Sequence, residues 1–365
     1  MKQIVTLLLL LFLTISIGWS SSLTEDFVVG DPDLKSMHAL SFGPESILFI
    51  GDSEAAQLVA IDLSHQQKAT NEKLRIANIE SELSELLGTT SDQFQIIDLA
   101  VDPANENIYI AVNHSSGQSL LFLVNNNKLE PVSIDNIGHS KMALKNAVAE
   151  DATDRRGRSL RKWAISDLRY ADGKVMVSGL SNAEFASTFR AISFPFNENE
   201  MASSLEIYHA AHGKYETNAP IKTFIPMTIN GQQQVLASYT CTPLVVFPMD
   251  EMKDGAHAKG RTVAELGNWN TPLDLIEMEK EGKRYILLAN TNRALMKIKV
   301  EDIENFGDSL TEKVTERAGT SGIDFINLPF VNVQQLDKLN EETFVMIQRG
   351  PDGVLSLKTD NVRWF

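Results

Sequence analysis

The chain has 365 residues, 48 acidic against 33 basic side chains, a net charge of −15, 43% hydrophobic residues and one cysteine. Enough apolar sequence is present for a large core, which excludes both a disordered chain and a small disulfide-stapled domain. Acidic charge spread along the chain leaves no basic stripe to displace counterions, so nucleic acid is excluded as a partner.

At the N-terminus, Lys2 precedes an apolar run over residues 5–19, and the small residues Gly18 and Ser20 stand before Ser21. This pattern reads as a secretory signal peptide over residues 1–20. The run is shorter than the roughly 20 residues a bilayer span needs. The expectation is an exported protein, periplasmic or secreted, with one domain over residues 21–365, no membrane span after cleavage, and a monomeric state. The lone Cys241 forbids an intrachain disulfide, and a buried thiol is its default reading.

From residue 36 one phrase recurs: an apolar strand, a turn, a second apolar strand, a small or polar break, and a third strand. Six copies are read at 40–63, 99–124, 168–196, 227–249, 276–298 and 336–357. Their second strands begin at Leu48, Ile108, Val175, Val235, Ile286 and Phe344, so the spacing runs from 51 to 67 residues. Short strands rich in Val, Ile and Phe at a loose fixed period, without a helix between every pair, predict an all-β repeat. Radial repetition of such sheets is a six-bladed β-propeller, seven-bladed if a degenerate copy hides in an insertion. The apolar segment 27–30 is expected to close the ring on the last blade. Three stretches break the period. Residues 64–93 contain IESELSELLG, a short helix with Ile79, Leu83, Leu86 and Leu87 at helical spacing. Residues 135–162 carry a helical reading of KMALKNAVAEDA and then the basic run DRRGRSLRK, read as a solvated segment or a dock for an acidic partner. Residues 301–329 are polar, with scattered glycines.

Asp98, Asp167 and Asp274 stand just before or at the start of three inner strands, with His38, Pro226 and Gln334 or Gln335 at that register in the others. In a propeller these positions converge near the axis. The ends of the second strands return to the same face, bringing Asp52, Asn113, Cys241, Asn290 and Arg349. Carboxylates and amides gathered there suit a hard cation such as calcium. Equally, a repeated Asp at a strand start serves to hydrogen-bond neighbouring backbone. The pair His209 and His212 lacks the glutamate of a zinc-protease motif and reads as a solvated loop. Cys241 with nearby methionines suggests soft-metal ligation or simple packing.

The segment NTPLDLIEMEKEGKRYILLANTNRALMKIKV, residues 270–300, resembles a blade of the six-bladed regucalcin, gluconolactonase and paraoxonase group, or of NHL-type propellers. That resemblance implies an esterase or lactonase with Asn270 or Asp274, and Asn290, as calcium ligands; the converging mouth adds Asp98 as a candidate ligand and His38 or Asp167 as the nearest candidate base. The acidic ligand that group places before its first inner strand is missing, where Met37 and His38 stand. No complete catalytic constellation is present, so the leading expectation is a module that binds a protein or small molecule without turnover. The calcium-dependent hydrolase is the alternative, and an accessory or redox-partner propeller is a third.

Overall fold

The computed structural model describes residues 22–71 and 73–365. The signal-peptide segment lies outside the described residues. Each repeated unit forms a small antiparallel sheet, and the six sheets stand around a common axis. Their innermost strands are Ala39–Phe42, Phe94–Val101, Asp167–Ala171, Ile221–Ile229, Pro272–Lys280 and Val333–Lys338. The protein is thus a six-bladed β-propeller, and no seventh blade occurs among the described residues.

The second strand of each unit is buried on both faces, as in Ile47–Asp52, because the sheets on either side cover it. This explains why those strands read as unbroken apolar runs rather than as alternating ones. Gly179, in the second strand of unit three, meets the chain that leads into that unit. A Cβ there would lie 2.3 Å from the Ala164 carbonyl oxygen, so only glycine permits the approach.

The order of the blades around the ring is not the order of the chain. Phe122 and Ile110 of unit two pack with Val345 and Leu357 of unit six. Tyr109 and Leu121, on the other face of unit two, pack with Leu40 and Ile50 of unit one. Unit one then meets unit three through Phe49, Leu168 and Val177. Units three to six follow in sequence, giving a ring of two, one, three, four, five and six.

Two short strands make this order possible, and both correct sequence expectations. Arg75–Ile76, in the connection from unit one to unit two, pairs with Leu355–Asn361 and closes the final sheet. The segment expected to do so instead places Val28–Gly30 beside Ile137–Ala143, as the fifth strand of unit one. On the return from unit two, Ile137–Ala143 pairs with Gln57–Asp62 and supplies the fourth strand of unit one. A helix is therefore absent from the KMALKNAVAEDA segment. The outer strand of unit one needs a partner, and the strand that fills this role buries Ile137 toward unit two and Met142, on its opposite face, toward unit three.

The predicted helix of the first insertion is present at Ile79–Leu87. Asn78 caps it by accepting the Ser81 N–H, and Gly88 ends it in a left-handed conformation. Ile79 and Leu83 are buried against units two and six, whereas Leu86 is exposed. The polar third insertion contributes Ser321–Gly322 and Ile326–Asn327, the outermost strands of units four and five. In the basic run, Arg161 is buried and donates to the carbonyls of Glu54 and Val148, while Arg155, Arg156 and Arg158 remain exposed.

Candidate functional site at the channel mouth

Strand pairing fixes which side chains face the axis. Asp98, Asp167, Thr223, Asp274 and Gln335 oppose equivalent second-strand positions, and Ala39 takes this place in unit one. The register by sequence was right for Gln335 but one residue early at His38 and three residues late at Pro226. Bulges in four of the inner strands, as between Ile96 and Asp98, shift the count in a way no apolar pattern reveals. Two residues further along each strand, on the same face, come Ser41, Arg169 and Asp337.

Arg169 is the centre of this arrangement. Its guanidinium lies 2.9 Å from Asp167 Oδ1 and 3.3 Å from Asp274 Oδ1, joining units three and five. Burial disfavours its charge, but Asp167, Asp274, Asp98 and Asp337 outweigh that effect and hold it above the ordinary arginine range. Burial also pushes Asp98 up to about 7 and Asp337 up to about 6, with the Arg169 charge pulling both the other way. Asp274 is raised well above the carboxylate range for the same reason.

These carboxylates also serve the backbone. Asp98 accepts the Leu40 N–H at 2.7 Å, Asp167 that of Phe224 at 3.0 Å, Asp274 that of Leu336 at 2.9 Å, and Asp337 that of Val101 at 2.7 Å. Ser41 Oγ accepts the Tyr170 N–H at 3.1 Å. Five blade interfaces are thereby stapled by a side-chain oxygen of one inner strand on the backbone of the next. Arg169 and Asp337 were missed in the sequence, although an arginine two residues after Asp167 in an apolar strand was a visible signal.

The charged cluster separates two cavities. One, of about 450 Å³, lies at the ends of the inner strands and includes Arg169, Asp337 and Lys338 in its wall. The other, of about 380 Å³, lies at their starts, lined by Gln95, Lys222, Gln334, Gln335 and Arg349 beside the apolar Leu273. Arg349 is ion-paired at 3.0 Å with Glu80, the second residue of the helix Ile79–Leu87. Lys222 Nζ lies 5.8 Å from the centre of the Trp163 ring, and among the described residues no salt bridge engages it.

Of the other residues singled out by sequence, Arg349 alone lines this mouth. Asp52 is fully buried and accepts the N–H groups of Lys35, Ser36 and Ala55. Asn113 clamps the backbone of Met37 in both directions, tying unit two to unit one. Asn270 and Asn290 organise their own loop through the N–H groups of Asn292 and Arg293. No hydrogen bond joins His38 to Asp167, and burial, reinforced by Lys222 and Lys162, pushes the His38 imidazole down to about 4. Cys241 is half-buried in the turn between the second and third strands of unit four.

No family model matches the chain, and no curated protein matches it. Among solved structures it is similar to an oxidoreductase of Thermus thermophilus assigned as a glucose dehydrogenase, at 11% identity and a TM-score of 0.31 over 92% of this chain and 100% of that one. It is also similar to the PQQ-bound aldose sugar dehydrogenase of Streptomyces coelicolor, at 10% identity and a TM-score of 0.31, over 91% and 97% of the two chains. A third is the extracellular domain of a protein of B. thetaiotaomicron assigned as a one-component system, at 13% identity and a TM-score of 0.37, over 91% of this chain and 39% of that one. No activity is transferred from likenesses of this size. Among the described residues, no helix is long and apolar enough to cross a membrane.

Proposed function

We propose that this chain is an exported, monomeric binding propeller that holds a small anionic ligand in the mouth lined by Lys222, without turnover. The observation that carries the reading is the contrast within the channel. Its middle is filled by Arg169 and the carboxylates that neutralise it, while the mouth above presents an unbridged lysine beside three glutamine side chains and an apolar wall. A concave site with a few convergent polar groups on a mainly rigid frame is what small-ligand recognition requires. Export rests on the N-terminal sequence pattern.

The guanidinium stands among the carboxylates that a calcium ion would have to use, and the Asp oxygens already accept backbone N–H groups. This favours binding over calcium-assisted hydrolysis. The test is calorimetry and thermal shift with small mono- and dicarboxylates and sugar acids, run on the mature protein and on Lys222→Ala. Saturable binding that Lys222→Ala abolishes is expected. Turnover of an ester or lactone that depends on added calcium and disappears in Asp98→Asn would replace this reading with the hydrolase.

A further inference from the structure

Residues that the sequence leaves far apart meet between units three and four, away from the channel. His209 ends the strand Glu200–His209, and His212 sits in the turn before Lys214–Glu216. Cys241 occupies the turn before Pro243–Pro248, and Glu265 ends the strand Arg261–Glu265, opposite Pro243. One ring nitrogen from each histidine and Cys241 Sγ lie within 4.8 Å of one another. His209 is buried at a strand end, which corrects the solvated loop expected for it, whereas His212 is exposed in its turn as expected.

The protonation pattern of the pair follows from Glu216. Its Oε2 lies 2.8 Å from His209 Nδ1 and its Oε1 lies 2.8 Å from His212 Nδ1. A carboxylate can only accept, so both Nδ1 atoms carry hydrogen, and Nε2 is the nitrogen each ring has left to offer a metal. A carboxylate that fixes the tautomer of a histidine from behind is the usual outer support of a metal ligand.

Two buried polar atoms at or beside this cluster lack partners. His209 Nε2, on a residue 2% exposed, and Glu265 Oε1, on a residue 0% exposed, have no hydrogen-bond partner among the described residues. The other Glu265 oxygen accepts the Ala211 N–H at 3.0 Å and lies 4.0 Å from His209 Nε2. Leaving a buried polar atom unsatisfied costs about 1–3 kcal/mol, so two in one place call for a ligand.

We propose that His209 Nε2, His212 Nε2 and Cys241 Sγ, completed by Glu265, form a binding site for a borderline divalent transition metal, zinc(II) fitting best. Imidazole, thiolate and carboxylate are the zinc donor set, whereas calcium takes oxygen alone. Tetrahedral bonds of about 2.0–2.3 Å put donors roughly 3.3–3.8 Å apart, so a shift of about 1 Å closes the present spacing of the two ring nitrogens and Cys241 Sγ. Binding releases the Cys241 thiol proton to solvent and leaves the thiolate on the metal. The metal then ties the outer hairpin of unit three to the turn and outer strand of unit four.

The experiment loads the purified full chain with zinc(II), removes excess by gel filtration and counts bound metal. A parallel sample takes cobalt(II) for absorption spectroscopy. One equivalent of zinc, a thiolate-to-cobalt charge-transfer band and the intense visible bands of tetrahedral cobalt are expected. Cys241→Ser and His212→Ala, both at incompletely buried positions, should abolish stoichiometric binding, and Glu216→Gln should weaken it about 10–100-fold. His257→Ala, at a surface histidine, should change nothing. Less than a tenth of an equivalent in the unsubstituted chain, or equal binding in Cys241→Ser and His212→Ala, would overturn the site. So would bound cobalt without the thiolate band, a readout that does not depend on any variant folding.

Discussion

The backbone N–H of Leu40 donates to Asp98 Oδ2 at 2.7 Å. A side chain from the second unit of the chain therefore holds the inner strand of the first, as expected where those two blades are neighbours in an order the chain does not follow. Asp98→Ala leaves that N–H without its acceptor and should cost about 1–3 kcal/mol in denaturant unfolding. Asp98→Asn keeps an oxygen acceptor and should cost less. Equal losses in the two variants would show that the staple is not what Asp98 contributes.

Among the described residues, Arg169 is the one cation that forms salt bridges with Asp167 and Asp274. Its replacement by Met keeps much of the volume but strands Asp167 and Asp274, and should destabilise the ring by about 3–5 kcal/mol. Combining Arg169→Met with Asp167→Asn and Asp274→Asn should recover much of the loss. A triple variant no more stable than Arg169→Met alone would refute the charge argument.

The same cluster sets a pH dependence. Asp98 and Asp337 are raised in the folded protein to about 7 and about 6, above their unfolded values. The folded state therefore binds more protons than the unfolded state between about pH 4 and 7, and stability from these groups falls as pH rises through that window. Melting temperature measured from pH 4.5 to 8 should show this decline, and Asp337→Asn should flatten it. An unchanged slope in that variant would assign the dependence to other groups.

Ring closure separates two short strands that look alike in sequence. Ile76 is buried between units two and six, whereas Val29 is 73% exposed on the rim of unit one. Ile76→Asp should cost more than about 3 kcal/mol, and Val29→Asp should stay within about 0.5 kcal/mol. Comparable losses would mean that the N-terminal strand is the more important closure after all.

The apolar runs that begin at Leu48, Ile108, Val175, Val235, Ile286 and Phe344 were enough to give the six blades, because a strand buried on both faces must be apolar throughout, wherever its neighbours come from. The helix at Ile79–Leu87 was legible for a similarly local reason, its cap and its spacing being written in ten consecutive residues. The position of unit two between units one and six was not. It depends on Arg75–Ile76 and Ile137–Ala143 pairing with strands distant along the chain, and main-chain hydrogen bonds leave little trace in side-chain identity. Asp98, Asp167 and Asp274 were visible as a repeated position, but Ala39 has no polar group to mark it and Thr223 stands beside a bulge. The partner Arg169 reaches Asp274 only because the ring brings units three and five to one axis. His209, His212, Cys241 and Glu265 stand in four turns or strand ends of two blades. Only the closing of unit four against unit three places their donor atoms in one pocket, since a ligand set is a fact of distance and the chain order carries none.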